Sequence, residues 1–379
     1  VANTLTAVIP KLLAQGLLAL RQQAIMPRLV NRSYDTMAAE RGSTIDVPIP
    51  SAITATAVTP AQVPPAQVDF TPTSVPVVMN MWYEAPFTLN DREIMETMDG
   101  VIPMQASEAI KALANTIDSD IISKYKSFYG TVGTSGTTPF ATSLTEYTQA
   151  RTVLNRQLAP INDRRVVLNP DAEGNALLLR AFQDASFGGG TGVIQQGQIG
   201  YKVGADWWMD QNLGNHAQAE AGTPLIDDAA AYAIGVKTIH VDGLTTKPEA
   251  GDKFRIAGDA TIYTVVSSTA LVGTDSDITF EPGLVVAKPA VDANEVLTFL
   301  GNYAINLVFH RDAIAFATRP LRDISFADNL VAMESAVDPV SGLTLRLEIT
   351  REHRRWKFSY DALWGAATVR KELGCVILG

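Results

Sequence analysis

The chain has 379 residues, 46% of them hydrophobic and 18% charged, which is too apolar for disorder and long enough for two or three domains. Its net charge of −10 argues against a dedicated nucleic-acid reader, because phosphate binding needs clustered Lys and Arg. A single cysteine, Cys375, excludes an intrachain disulfide, and the histidines at 216, 240, 310 and 353 have no metal-ligand spacing. With 27 glycines, 20 prolines and only 7% aromatics, the composition favours strand, turn and loop over a helix bundle.

In chain order, the apolar run Leu12 to Leu20 is broken by Gln15 and Gly16 and is about half of a membrane span, so no span is expected. Lys11 and Arg21 flank it as in a signal peptide, but Arg21-Gln22-Gln23-Ala24 offers no cleavage site. The expectation is a soluble, cytoplasmically made chain whose initiator Met was trimmed before Val1. Leu12, Leu13, Leu17, Leu20 and Ala24 predict an amphipathic helix over 11–26, ended by Pro27. It either packs on its own domain or docks as an arm on another subunit.

Residues 45–86 carry eight prolines, no Lys or Arg, and only Asp46, Asp69 and Glu84 as charges. Ile45, Val47, Ile49 and Ile53 alternate with Asp46, Pro48, Pro50 and Thr54, and Val75, Val77, Met79, Met81 and Tyr83 alternate in the same way. Two strands of about 13 residues, at roughly 3.3 Å each, predict a ribbon about 40 Å long with an irregular tip at 59–65. A two-stranded ribbon is unstable alone, and internal prolines keep it from the middle of a sheet. It must therefore lie on its own domain or across a neighbouring subunit.

Residues 104–128 predict a rod of roughly 37 Å at 1.5 Å per residue. Ile110, Leu113, Ala114, Ile117, Ile121, Ile122, Tyr125 and Phe128 line one broad face, with Glu108, Lys111, Asp118 and Lys126 mostly opposite. Ser143-Leu144-Thr145-Glu146 is a capping-box pattern opening a helix through Leu158. Arg165 to Leu168 reads as a strand, Asn169-Pro170-Asp171 as a turn, and Ala172 to Ala185 as a helix. A glycine-rich loop, Phe187 to Gly200, leads into Tyr201-Lys202-Val203.

Short strand signals follow at 237–241, 253–257, 261–266, 278–280 and 295–299, separated by Gly, Asp, Pro and Ser, and predict a small inserted β-barrel. After Asn306 to His310, Asp312 to Thr318 is compatible with helix. Leu343, Leu345, Leu347 and Ile349, then Trp356, Phe358 and Tyr360, predict a closing β-hairpin whose basic residues include Arg346, Arg351, Arg354, Arg355 and Lys357.

Templates for chemistry fail. Phe187-Gly188-Gly189-Gly190-Thr191-Gly192 lacks the Lys-Ser or Lys-Thr of a P-loop and the strand–helix context of a dinucleotide site. No nucleophile elbow or His-Glu-x-x-His occurs, and His310-Arg311-Asp312 has none of the companions of a kinase catalytic loop. Asp227-Asp228 and Asp275-Ser276-Asp277 lack the ligand count of a calcium site, and Cys375 sits among apolar neighbours as a core residue. No catalytic, cofactor-binding or metal-binding residue is expected.

The order of features resembles the major capsid proteins of tailed double-stranded DNA bacteriophages with the HK97 fold, in particular the P22-like coat protein family. The resemblance rests on Ala2-Asn3-Thr4-Leu5 with the arm helix, the ribbon from Gly42 to Pro86, and Arg165-Val166-Val167-Leu168-Asn169-Pro170. Gly197-Gln198-Ile199-Gly200-Tyr201 and Asn306-Leu307-Val308-Phe309-His310-Arg311-Asp312-Ala313 complete it.

The resemblance implies an α+β fold: an N-terminal arm (1–41), an extended loop or E-loop (42–86), and a peripheral domain with the spine helix (87–139). It further implies an axial domain (140–228 and 301–340), an inserted β-barrel or I-domain (229–300), and a return to the peripheral domain (341–379). Inter-subunit contact is then expected from Ile49, Ile53, Val63, Phe70, Val77, Met79 and Met81 of the E-loop and from Leu12, Leu13, Leu17 and Leu20 of the arm. Ionic contact between subunits is expected from Arg346, Arg351, Arg354 and Arg355.

The implied function is a coat protein forming hexamers and pentamers of an icosahedral shell around double-stranded DNA, assembled in the bacterial cytoplasm and residing in the virion. Its implied partners are a scaffolding protein, a portal protein and, in some shells, a decoration protein. No lysine lies between Lys11 and Lys111, so the E-loop is not expected to supply a covalent cross-link, and with about forty residues before the ribbon no fused scaffold is expected. A separate scaffold and a non-covalent shell are expected. An acidic inner face would repel packaged DNA within roughly 8–10 Å, giving contact without sequence reading. The competing readings are a cytoplasmic α/β enzyme with an accessory barrel and a non-viral compartment shell of the same fold.

Overall fold

A computed structural model describes residues 24–34, 44–50, 53, 55, 72–92, 101–183, 199–227, 231–288, 295–319, 321, 330–337 and 343–379. The arm residues Leu12 to Leu20, the ribbon tip with Val63 and Phe70, and the glycine-rich loop at 187–198 lie outside these.

Along the chain, α1 is a single turn, Met26–Leu29. Pro27 stands in its first turn, where a missing N–H costs nothing, so this proline opens a helix where the sequence reading had it close one. Strands β1 (Thr44–Ile49), β2 (Thr73–Val78) and β3 (Met81–Asn90) follow, then the long helix α2 (Val101–Ser123), a 3-10 turn (Lys124–Ser127) and β4 (Gly130–Gly133). Next come α3 (Thr145–Arg156), β5 (Arg164–Leu168), α4 (Pro170–Leu178) and α5 (Arg180–Gln183). Among the described residues nine strands then run in succession: β6 (Gly200–Lys202), β7 (Ala205–Met209), β8 (Asn215–His216), β9 (Leu225–Ile226), β10 (Thr238–Asp242), β11 (Lys253–Ile256), β12 (Tyr263–Ser268), β13 (Ser276–Glu281) and β14 (Leu297–Phe299). The last are β15 (Tyr303–His310), β16 (Ile314–Arg319), β17 (Leu330–Val337), β18 (Thr344–Glu352), β19 (Arg355–Thr368) and β20 (Gly374–Leu378).

The chain divides into two compact units. One includes Arg32–Leu113 and Ala315–Val369; the other includes Ala114–Ile314 and Arg370–Gly379.

In the first unit, β16, β19, β18 and β17 form a sheet in that order, with β3 also pairing β19. The β18–β19 hairpin has the expected alternation: Leu347 opposes Tyr360 and Ile349 opposes Phe358, all four buried. The expected helix at 312–318 is instead a 3-10 turn, Arg311–Ala313, followed by β16. His310 Nδ1 accepts the Asp312 N–H at 3.2 Å and ends β15, after which Ile314 to Thr318 are buried throughout, the pattern of a strand covered on both faces.

The ribbon also differs from its reading. β1 and β2 pair antiparallel over six residues each, Thr44 opposing Val78 and Ile49 opposing Thr73. The second strand does not continue to Tyr83: it breaks at Met79–Asn80, and β3 leaves for the larger sheet. Ile45, Val47, Val77 and Met79 cluster with Ala315 and Ala317 of β16, flanked by Tyr34, Ala367 and Val369. Each fully buried aliphatic side chain contributes about 1.5–3 kcal/mol, so the ribbon base is anchored on its own chain.

In the second unit a seven-stranded sheet has the order β4-β20-β15-β5-β7-β6, with β8 on β15. Trp207 of β7 collects Tyr147 of α3 (ring centroids 4.8 Å apart), Phe182 of α5 (5.2 Å) and Phe140 (5.9 Å), so helices cover this face. The capping box does not form. Leu144 occupies the N-cap of α3 without a side-chain bond, and the Ser143 hydroxyl meets only Thr145, its hydroxyl at 2.7 Å and its N–H at 3.4 Å. Asn169-Pro170-Asp171 is a helix start and not a free turn: Asn169 Oδ1 accepts the Ala172 N–H at 2.9 Å and Pro170 opens α4. That helix ends at Leu178, short of the expected Ala185.

The same unit holds a six-stranded antiparallel sheet, β14-β11-β12-β13-β10-β9. Its outer strands meet through a bridge between Leu225 and Val296, with Ile226 N–H to Glu295 O at 3.0 Å and Leu297 N–H to Pro224 O at 2.8 Å. Inside lie Ile239, Val241, Phe254, Tyr263, Val265, Ile278 and Phe280.

Candidate assembly surfaces

The first unit's sheet has one apolar face and one charged face, set by strand alternation. On β19 the charged face presents Arg355, Lys357, Ser359 and Asp361; opposite them on β18 stand Glu352, Thr350, Glu348 and Arg346. From β3, Glu84 opposes Asp361 and Trp82 opposes Leu363. A groove of ≈ 320 Å³ runs here, lined by Trp82, Glu84, Met333, Glu348 and Lys357 among others.

Its floor is an ion-pair network. Arg346 Nε donates to Asp361 Oδ1 at 2.9 Å and Nη2 to Oδ2 at 2.5 Å, with both side chains buried. Trp82 Nε1 donates to the same Oδ2 at 3.0 Å, Ser359 Oγ donates to Glu84 at 2.9 Å, and Lys357 lies 3.7 Å from that carboxylate. Trp82 keeps 62% of its surface exposed, an amphipathic ring held at one end and presented at the other.

Of the four arginines expected at inter-subunit contacts, Arg346 is buried, while Arg351, Arg354 and Arg355 are exposed. Arg346 is buried and committed to Asp361, so it is an internal tie. Arg351 pairs with Asp91 at 3.3 Å and lies 4.8 Å above the Trp356 ring, while Arg355 pairs with Glu352. Arg354 sits at the hairpin turn with φ +54° and an exposed side chain. Of the residues expected to make contacts from an extended loop, Val77 and Met79 are buried in the ribbon-base cluster of their own chain. Ile49 and Met81 are half-buried, and Ile53 is 80% exposed.

In the second unit, sequence reasoning put Asp118 on the outer side of the spine helix, but it is fully buried. Its Oδ2 and Oδ1 accept the N–H groups of Ile25 and Met26, both at 3.1 Å. Burial, with the Asp210 carboxylate nearby, pushes its pKa up to about 8. Lys253 is also fully buried. Its Nζ donates to Thr264 Oγ1 at 2.6 Å and Thr131 Oγ1 at 3.0 Å, and burial lowers its pKa to about 7. A lone charged letter within a buried stretch carries no periodic signal for either role. Cys375 is buried, and its thiol is pushed up to about 12 by the same cause.

Among the described residues no group of three or more His, Cys, Asp and Glu side chains is placed to hold a metal ion, and no helix is long and apolar enough to cross a membrane.

No protein-family model and no curated protein matches the chain. Solved structures do. One from Mycobacterium phage Che8 superposes with a TM-score of 0.53 at 13% identity, covering 94% of this chain and 91% of that one. The capsid structure of the cyanophage P-SCSP1u gives 0.51 at 12% identity, covering 94% and 88%. The mixed α and β architecture described above is therefore a fold found in phage capsid structures.

Proposed function

We propose that this chain is a major capsid protein with an HK97-type fold, assembling into hexamers and pentamers of an icosahedral shell in the virion. The observation that carries the reading is the shared fold over 94% of this chain with a structure described as a phage capsid. The six-stranded sheet at 225–299 is read as an inserted domain of the kind found in the P22-like branch, supported by its self-contained core. Scaffolding, portal and decoration proteins and packaged double-stranded DNA belong to this reading as partners.

The division of labour follows from burial. The ribbon base is committed to its own subunit, so reach across a neighbour falls to the segment beyond Ile49, where Ile53 is exposed. The charged face with Trp82 is the second contact candidate. Each contact is modest, and closure of a symmetric shell multiplies it.

Size-exclusion chromatography and negative-stain microscopy of the purified chain, with and without a co-expressed scaffold, test the proposal. Closed particles, tubes or polyheads are the expected result. A stable 40.7 kDa monomer with catalytic turnover overturns it.

A further inference from the structure

The second unit contains a groove of ≈ 650 Å³ that the assembly reading does not use. Its size falls within the roughly 300–1,000 Å³ of binding clefts. One wall is α3, through Thr148, Gln149, Thr152, Val153, Arg156 and Gln157. The other is the six-stranded sheet, through Arg255, Thr261 and Ile262, and the floor is the whole of β4.

β4 is the terminal strand of the seven-stranded sheet: β20 pairs with it on one side, and among the described residues no backbone hydrogen bond reaches its other side. The strand is held on both faces. At Gly130 a Cβ would come 2.8 Å from Val153 Cγ1, so this face is closed by α3. On the other face the Thr131 hydroxyl is tied to Lys253. What remains open is the edge itself, whose outward N–H and C=O groups form a template for one more strand.

The walls add a charge. Arg156 and Arg255 are both exposed, stand on opposite sides, and make no ion pair among the described residues; no Asp or Glu lines the groove. In a chain of net charge −10 this is a local inversion of sign.

We infer that β4 is a docking edge for an extended acidic peptide segment of a different protein, which adds as a strand and places carboxylates against Arg156 and Arg255. A second copy of this chain fits less well, because its proline-rich segment 45–86 carries only three acidic residues in its sequence. The four residues of β4 span about 13 Å at roughly 3.3 Å each, so the docked core is four to six residues long. Carboxylate–guanidinium pairing adds the specificity that main-chain bonds lack.

The test titrates the full-length chain with a fluorescein-labelled six-residue peptide, Val-Glu-Glu-Glu-Glu-Val, whose successive residues face opposite sides of an added strand and so bring carboxylates to both walls. Controls are the same peptide with Lys for Glu and a version N-methylated at alternate residues, which keeps the charge and removes backbone donors. The acidic peptide is expected to bind, to weaken with salt, and to protect from hydrogen exchange the one amide of the Thr131–Val132 pair that points away from β20. The double variant Arg156→Glu, Arg255→Glu, both at exposed positions, is expected to weaken binding at least ten-fold without changing the thermal midpoint. Equal binding of the N-methylated or Lys peptide, undiminished binding by the double variant, or no binding at millimolar peptide overturns the inference. So does a double variant that loses self-association, which would make the groove a contact between copies. Peptide binding is read on unassembled chain, so its failure is separable from failure of the capsid reading.

Discussion

The guanidinium of Arg346 and the carboxylate of Asp361 form a two-bond pair across β18 and β19, buried on a face whose far end, Glu352 and Arg355, is exposed. Trp82 donates to the same carboxylate, so three strands converge on one acid. Desolvating both charges cancels much of the pair's gain, but removing one partner strands the other. Arg346→Met is therefore expected to cost about 3–5 kcal/mol in urea unfolding of the unassembled chain, with partial recovery on adding Asp361→Leu. If Arg346 acted between subunits, the single variant would leave subunit stability unchanged and weaken assembly alone.

Gly365 of β19 lies where β2 crosses closest. A Cβ there would press into the Val78 carbonyl and come 3.2 Å from Met79 Cα, and both are backbone. Gly365→Ala is expected to lower stability by about 1–3 kcal/mol. Hydrogen exchange should show the loss first in β1 and β2, because the ribbon base must lift to make room. Unchanged protection at Val77 would contradict the anchoring described for the ribbon.

Burial, with Asp210 nearby, raises the Asp118 carboxyl in the fold to about 8, far above the ordinary carboxylate value near 4. A carboxyl raised in this way stabilises fully below the unfolded value, and that contribution is lost as pH rises to the folded value. Stability of the native chain relative to Asp118→Asn should fall from about pH 4 to pH 8 and then level off. A difference that is flat across this window, read from urea midpoints, would show that Asp118 is already ionised in the fold.

Lys253 gives the opposite slope. With its folded pKa lowered to about 7 from 10.5, the unfolded chain binds more protons between these values, so stability rises with pH across that interval. Lys253→Met should remove this rise and be more stable than the native chain at pH 6, where the buried ammonium is charged. A native chain no less stable than the variant at pH 6 would contradict the assigned burial.

Legibility in the sequence followed periodicity. The spine helix, the closing hairpin and the short strands from 237 to 299 each repeat an apolar signal over several turns or strands, and they stand where that signal put them. Misplacements occurred where one residue decides the local structure. Asn169 and Pro170 read as a turn because the same two residues serve as a helix cap. Asp312 to Thr318 read as helix because Ala315 and Ala317 suit either state, and only packing of both faces makes it a strand. Met79 and Asn80 continue the alternation of Val75 and Val77, so nothing local marks where the chain leaves the ribbon for the sheet. The candidate surfaces were legible only as a basic hairpin: which arginine faces inward depends on Asp361 standing opposite Arg346, a register that composition does not contain.

The central claim is that this chain builds a shell in which its extended loop reaches a neighbour. A cryo-electron microscopy reconstruction of particles formed by the expressed chain measures it directly. The expected map shows closed icosahedral particles, with β1 and β2 seated on their own β16 and residues beyond Ile49 lying over the adjacent subunit. Particles in which that segment folds back on its own subunit would contradict the account, as would a chain that stays monomeric in the presence of a scaffold.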